Sequence, residues 1–164
     1  MSGPSTERLC ELFDLDYEAG VLRWKVRTAW HIEVGDVAGS LQRRGYLYVG
    51  VDGRRLPAHR IVFAMVNGYW PQQVDHINGV KTDNRPANLR AATQAENGRN
   101  SRLRINNTSG RKGVYWNKAT GKWQAQCMVN RRQHYIGRFT DIDEATAAVR
   151  AFRERMHGEF TRHE

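Results

Sequence analysis

Four polar residues in the middle of the chain have the types and spacing needed to cleave a phosphodiester bond. Asp75 and His76 are adjacent, Asn88 follows His76 by 12 residues, and Asn97 follows Asn88 by 9. A carboxylate and an amide can hold a hard divalent cation, while an imidazole can take a proton from water. We expect Asp75 and Asn97 to bind the metal, His76 to act as general base and Asn88 to orient the imidazole.

The local pattern around these residues predicts alternating short elements. The expected order is a strand at 74–78, a loop at 79–86, a strand at 89–92 and a helix from Gln94. Thr93 followed by Glu96 is a capping-box pattern, which supports the start of that helix. Because neighbours on a regular strand point to opposite faces, His76 can share a site with Asp75 only if the strand ends or bulges there.

The residues before this segment predict a small β-rich layer resting on a buried helix. The expected elements are a short amphipathic helix at 5–13, an alternating segment at 20–27, a hairpin at 46–56 and a buried helix at 58–66. The hairpin is indicated by the Asp52-Gly53 pair between two β-prone runs. The buried helix is expected to form the floor under the catalytic motif.

Composition narrows the class of partner. Lys and Arg number 26 against 17 Asp and Glu, a net charge of +9, which is typical of a nucleic-acid binder. Charge alone leaves open a merely soluble basic protein, and acidic lipid is a weaker third candidate. Cys10 and Cys127 lie far apart and outside any CxxC pair, so a zinc knuckle or a disulfide framework has no support. Without a secretory signal or a bilayer-length apolar stretch, we expect an intracellular, cytoplasmic protein in a reducing compartment.

The segment from about 47 to 100 resembles the HNH branch of the His-Me finger nucleases, in particular the homing-endonuclease type of phages and mobile elements. The resemblance rests on Val74-Asp75-His76-Ile77-Asn78-Gly79, Asp83-Asn84, Asn88-Leu89-Arg90 and Glu96-Asn97. It implies a ββα-metal module in which His76 is the base, Asn88 supports it, and Asp75 and Asn97 hold the metal. It also implies cleavage to 5′-phosphate and 3′-hydroxyl ends. The last motif position is Asn rather than His, which favours one Mg²⁺ or Mn²⁺ ion per site over Zn²⁺.

Further basic residues are candidate DNA contacts. His59, in Ala58-His59-Arg60, stands where this family often has a His-Arg pair, and either a phosphate contact or a hydrogen-bonded histidine at a helix start explains it. In the basic segment 98–110, Arg99, Arg102 and Arg104 can follow a phosphate backbone, although a solvated connector has the same composition.

The last third of the chain predicts a second unit of three strands and one helix. The strands are expected at 113–117, 122–129 and 133–139, and the helix from 142 to about 156. The middle strand alternates, with Trp123 and Ala125 on an apolar face and Gln124 and Gln126 on a polar one. Such an open polar face with basic flanks can enter the major groove, where Gln pairs with adenine and Arg with guanine.

Residues 109–158 resemble an AP2-type DNA-binding domain. The resemblance rests on Gly113-Val114, Gly121-Lys122-Trp123-Gln124-Ala125, Ile136-Gly137-Arg138-Phe139, Glu144-Ala145, Ala147-Ala148 and His157-Gly158. By resemblance and from the basic flanks, the expected DNA contacts are Lys112, Tyr115, Asn117, Gln124, Gln126, Met128, Arg131, Arg132, Gln133 and Tyr135. These residue types differ from the Arg and Trp of plant members, so no target sequence is inherited. A structural sheet with a solvated face is the alternative.

The whole chain is therefore predicted to be an α+β protein of two parts: a ββα-metal nuclease module preceded by a small β-rich layer, then a three-stranded antiparallel sheet with one helix. The expected divisions are a nuclease domain at 1–100 with its motif core at 58–100, a basic linker at 101–108 and a DNA-binding domain at 109–164. The predicted function is site-directed, metal-dependent cleavage of double-stranded DNA, by a monomer or homodimer without a membrane partner. Two alternatives remain open: a catalytically silent AP2-type regulator and a non-specific degradative nuclease.

Overall fold

The computed structural model describes residues 3–99, 103, 106–129 and 132–157, with the backbone alone at 95, 98, 99 and 157. The fold is α+β, with several small antiparallel sheets. The chain divides into two compact units, Met1–Gln94 and Ala95–Glu164. Of the predicted linker, residues 101, 102, 104 and 105 lie outside the described residues.

The first unit contains three small sheets and two principal helices. Its elements are α1 (Thr6–Leu12), β1 (Phe13–Asp16), β2 (Val21–Trp24), β3 (Ser40–Leu41), β4 (Leu47–Val51), β5 (Arg54–Pro57), α2 (Ala58–Asn67), β6 (Gln73–His76), a 3₁₀ turn (Pro86–Asn88) and β7 (Leu89–Ala92). The sheets are β1–β2, β3–β4–β5 and β6–β7, all antiparallel. A further helix, α3 (Gln94–Arg99), begins where the two units divide.

Local sequence signals explain how these elements begin and end. The side chain of Ser5 accepts a hydrogen bond from the Arg8 backbone and caps α1. In the hairpin between β4 and β5, Asp52 and Gly53 both have positive φ, 46° and 75°, which is the geometry of a type I′ turn. The predicted hairpin is confirmed, whereas β1 and β3 had no clear signal in the sequence.

Helix α2 lies at the centre of the first unit. Ile61, Val62 and Ala64 are 0% exposed, and the helix ends at Gly68, whose φ of 77° only glycine adopts without strain. Its apolar residues join Val49 of β4, Val74 of β6 and other residues in one core. The predicted buried helix is confirmed, and it packs against β6 as expected of a floor under the motif.

The second unit contains β8 (Val114–Asn117), β9 (Lys122–Val129), β10 (Arg132–Phe139) and α4 (Ile142–His157). The three strands form an antiparallel sheet in the order β10–β9–β8. Ala125 on β9 and Ala145 and Val149 on α4 belong to the core between the sheet and the helix. Asp141 caps α4, since its Oδ1 accepts from the backbones of Asp143 and Glu144. These elements agree with the predicted ones.

Among the residues that the model describes, no helix combines the length and the apolar character needed to cross a membrane.

Candidate functional site

The acid and the imidazole of the motif lie together at the end of β6. The strand ends at His76, which is the irregularity that a shared site requires. Both residues are buried, each with 4% of its surface exposed. Burial of two ionisable residues at a strand end is unusual unless each has partners, and their partners define the site.

Asp75 is held by an arginine on the neighbouring strand. The register of β6 and β7 places Asp75 directly opposite Arg90. Arg90 donates from Nε and Nη2 to Asp75 Oδ2 at 3.0 and 2.9 Å, which fixes the carboxylate with charge-assisted hydrogen bonds. The sequence analysis included Arg90 in the motif but assigned it no role. The cross-strand register is the signal that could have paired it with Asp75.

The imidazole of His76 is held by Asn84. Its Nε2 lies 3.0 Å from Oδ1 of Asn84, which is itself only 1% exposed. Because an amide oxygen only accepts, Nε2 carries the ring proton and the other ring nitrogen carries the lone pair. Burial lowers the pKa of His76, and the bond to Asn84 opposes that shift. A lowered pKa keeps the ring neutral near pH 7, as a general base requires.

The contacts of Asn88 are with the residues that follow β6. Its backbone oxygen accepts from Ile77 at 2.9 Å, and its side-chain Oδ1 accepts from the Asn78 backbone at 3.0 Å. Its amide nitrogen donates to the Asp83 carbonyl at 2.8 Å and to Asn78 Oδ1 at 3.0 Å. Both of its oxygens bind the backbone that follows β6, and the acceptor seen at the imidazole is Asn84, so the expected support of the imidazole by Asn88 stays a prediction. Asn88 organises the loop that carries Asn84.

Asn84 was the functional residue that sequence reasoning missed. It belongs to the Asp83-Asn84 pair of the motif, which was the only signal available. The backbone of Asn84 also packs closely against the turn before β2. A Cβ at Gly20 would overlap backbone atoms of Asn84 and Arg85. Gly20 has a φ of 66°. Close packing on one side and the imidazole on the other leave Asn84 little freedom.

A cluster of rings surrounds the imidazole. The His59 ring lies 4.9 Å from His76 and 5.2 Å from Tyr46, and Tyr46 lies 6.0 Å from His76, all between ring centroids. Burial, followed by the effect of His76, lowers the pKa of His59 to about 3, so this ring stays neutral. Its Nδ1 is buried without a hydrogen-bond partner among the residues described. His59 is 7% exposed and packs against His76, and its expected contact with a DNA phosphate remains a prediction.

Asp75 offers carboxylate oxygens, which are hard donors of the kind that Mg²⁺ binds. In the part of the chain that the structure describes, no three His, Cys, Asp or Glu side chains are grouped as a metal site. Mg²⁺ needs only one or two protein carboxylates, because water and substrate phosphates complete its coordination. Asp75 meets that requirement. Asn97 lies on α3 and is half-buried, and its place beside Asp75 stays a prediction.

The sheet of the second unit has one buried and one open face, as the alternation predicted. Ala125 is 0% exposed on the inner face, while Met128 and Tyr135 are 60% and 58% exposed on the other. The amides of the open face bind one another: Asn117 Nδ2 donates to Gln124 Oε1 at 3.0 Å, and Gln133 Nε2 donates to Gln126 Oε1. The open face also carries Tyr115 opposite Gln124 in the register.

The remaining predicted DNA contacts are basic residues. Lys112 is half-buried and Arg132 is exposed. Arg102, Arg104 and Arg131 lie outside the described residues, as does the side chain of Arg99.

Comparison with known proteins agrees with the chemistry of the β6–β7 site. Residues 56–99 match the HNH endonuclease family. This segment therefore carries an HNH endonuclease domain, which supports a nuclease that hydrolyses phosphodiester bonds and implies DNA as the substrate.

Over 106 residues the chain is 34% identical to Protein 3.8 of Escherichia phage T7, a stretch covering 63% of this chain and 87% of that protein. The chain belongs to the family of Protein 3.8. No solved structure matches the chain.

Proposed function

We propose that the chain is a site-directed, metal-dependent DNA endonuclease that works through a ββα-metal module. The observation that carries this proposal is the buried imidazole of His76, held by Asn84 beside a carboxylate that Arg90 fixes. A neutral, oriented base next to a metal-binding acid is what hydrolysis of a phosphodiester needs. The phage relative supports a setting in phage-infected cells.

His76 takes the proton of the attacking water. The water oxygen forms a bond to phosphorus while the bond from phosphorus to the 3′ oxygen breaks, and the 3′ oxygen leaves and takes a proton from solvent. The products carry 5′-phosphate and 3′-hydroxyl ends. Asn84 holds the ring in the tautomer that accepts a proton, and Asn88 holds the loop that presents Asn84.

Asp75 is the residue best suited to hold a divalent ion, with Asn97 as its predicted co-ligand. When bound, Mg²⁺ or Mn²⁺ would stabilise negative charge on the phosphate and the departing oxygen. Arg90 contributes before any ion binds, because its two bonds to Oδ2 set the orientation of the carboxylate. The Arg90 charge also offsets that of Asp75, so the buried acid is not left unpaired.

The open face of the β8–β10 sheet is proposed to read DNA in the manner of an AP2 domain. The side-chain oxygens of Gln124 and Gln126 are used by neighbouring amides, so the groups left for a base edge are their N–H donors. Such donors match the acceptors that purines present in the major groove. Arg132 and the other predicted basic flanks would supply salt-dependent affinity for phosphates.

The decisive experiment is cleavage of supercoiled plasmid by the full chain with Mg²⁺, compared with the same reaction in EDTA. We expect relaxation or linearisation that EDTA abolishes. His76→Ala should lower the rate by a factor of about 10²–10⁴ without loss of DNA binding. His31→Ala is the matched control, since His31 is exposed and contacts only Trp30 among the described rings.

DNA binding without cutting by either wild type or variant would instead support the catalytically silent regulator. A non-specific degradative nuclease is separated by deleting residues 106–164. A site-directed enzyme should then lose its target preference, whereas a degradative one should cut as indiscriminately as before. Mapping cut positions on phage or host DNA gives the readout.

A further inference from the structure

Lys81 is an exposed lysine whose side chain is held along its length. Its Nζ donates to the backbone carbonyl of Arg44 at 2.8 Å and lies 4.7 Å from the centre of the Tyr46 ring. Its Cδ lies 3.5 Å from the position that a Cβ would take at Gly45. A free lysine side chain loses conformational entropy when it is ordered. Here Arg44, Gly45 and Tyr46, three successive residues before β4, contact the side chain and order it.

The held ammonium lies over a ring that is itself a neighbour of the His76 imidazole. The ring of Tyr46, over which it sits, is 6.0 Å from that of His76. Lys81 itself belongs to the loop between β6 and β7 that contains Asn84. The lysine therefore joins the two segments that border the base.

The positive charge at this corner is not neutralised by any acid that the structure describes. Lys81 makes no ion pair with a described residue, and neither do Arg43 and Arg44 in the same turn. The nearby acid of the loop, Asp83, is occupied by Arg85, whose Nη2 and Nε lie 2.6 and 2.7 Å from its two oxygens. A ligand that would neutralise the charge of Lys81, Arg43 and Arg44 is an anion.

We propose that Lys81 contacts a phosphate of the DNA strand that is cut at the His76 site. This inference rests on the proposed endonuclease function and adds a residue that binds the substrate. The ordered side chain means that little entropy is lost when the phosphate arrives. The competing explanation is that Lys81 only ties the turn at 42–45 to the loop between β6 and β7.

Lys81→Gln tests the proposal, with Lys25→Gln as a matched control. Lys25 also donates to a backbone carbonyl, that of Cys10 at 2.9 Å. It directly follows β2 and is far in sequence from the motif that begins at Asp75. Binding of the full chain to a short duplex is measured over a range of salt concentrations in EDTA, where no cutting occurs. Plasmid cleavage is then measured with Mg²⁺. Lys81→Arg keeps the charge and the bond to Arg44.

For Lys81→Gln we expect the slope of log affinity against log salt to fall by about 0.9, the value for one lost phosphate contact. The cleavage rate should fall at least about tenfold, as for loss of a charged donor at a reacting phosphate. Lys81→Arg should restore both, and Lys25→Gln should change neither. If Lys81 only connects the turn to the loop, Lys81→Gln should lower the thermal midpoint of unfolding without changing the slope of log affinity against log salt.

An unchanged slope for Lys81→Gln, or an equal fall for Lys25→Gln, would overturn the inference. Failure of the proposed function gives a different result, since the wild type would then bind DNA but not cut it in Mg²⁺. The slope comparison does not depend on cutting, so the two failures can be told apart.

Discussion

The two units use polar side chains in opposite ways. In the first unit the functional groups are enclosed: Asn84 is 1% exposed and His76 4%. In the second unit the candidate recognition residues are open, with Met128 at 60% and Tyr135 at 58%. A base must keep one tautomer and one position to act on water, so it is held by buried partners. A reading surface must exchange water for base edges, so its groups face solvent.

The enclosed site is stable because its acid and its loop have hydrogen-bond partners, with His59 Nδ1 as an exception among the described residues. Asp75 is paired with Arg90, and the loop beyond β6 is joined to Asn88 by four hydrogen bonds. A buried group left without its partner costs about 1–3 kcal/mol. Substitutions in this unit should therefore affect stability and chemistry together, whereas those on the open sheet face should affect recognition alone.

The largest effect is expected where the enclosed site is crowded. Gly20→Ala places a Cβ against the backbone of Asn84 and Arg85 at a position with φ of 66°. We expect the free energy of unfolding to fall by about 3 kcal/mol, from backbone strain plus overpacking. Gly53→Ala is the control, since its φ is 75° but nothing lies within 4 Å. For Gly53→Ala the free energy of unfolding should fall by only about 1 kcal/mol. Urea unfolding measures both, and equal losses would contradict the crowding at Gly20.

Removing the partner of the imidazole should come next. Asn84→Ala deletes the acceptor for His76 Nε2, so the ring loses its fixed tautomer. We expect the cleavage rate at saturating DNA to fall about 10–100-fold, as when other oriented catalytic groups lose their supports. Asn67→Ala is the control, because Asn67 donates to a backbone carbonyl, that of Phe63 at 2.9 Å, whereas Asn84 contacts the imidazole. Similar cleavage rates for the two variants would show that Asn84 does not support the imidazole during catalysis.

The smallest effect on rate is expected on the open sheet face. The double change Gln124→Ala and Gln126→Ala removes the available N–H donors, so target preference should relax by about 1–3 kcal/mol per lost base contact. Arg132→Gln, at the start of β10, should instead weaken binding by a similar factor on all sequences. Mapping cut positions for the three proteins distinguishes these outcomes. Unchanged preference in the double variant would assign the face a structural role.

Local patterns made much of this fold predictable. The alternation of β9, the Asp52-Gly53 turn and the apolar run of α2 depend on neighbours within a few residues, so they could be interpreted directly. Strand β1 was not predicted, because Phe13 continues the apolar spacing of α1 and its pairing with Trp24 is a non-local contact. The sequence analysis assigned support of the imidazole to Asn88 and gave Asn84 no role, because the two residues carry the same side chain four positions apart.

The sequence by itself determined the types of group available for chemistry and their order: an acid followed by an imidazole at a strand end, two asparagines in the next turn, and a polar face on β9. Those features follow from residue identity and from the fixed periods of helix and strand. Only the tertiary structure decided which asparagine touches the imidazole, that Arg90 holds Asp75, and that Lys81 lies over Tyr46. Each of these depends on where distant segments pack, because a hydrogen bond requires atoms within about 3 Å and spacing along the chain does not set that distance.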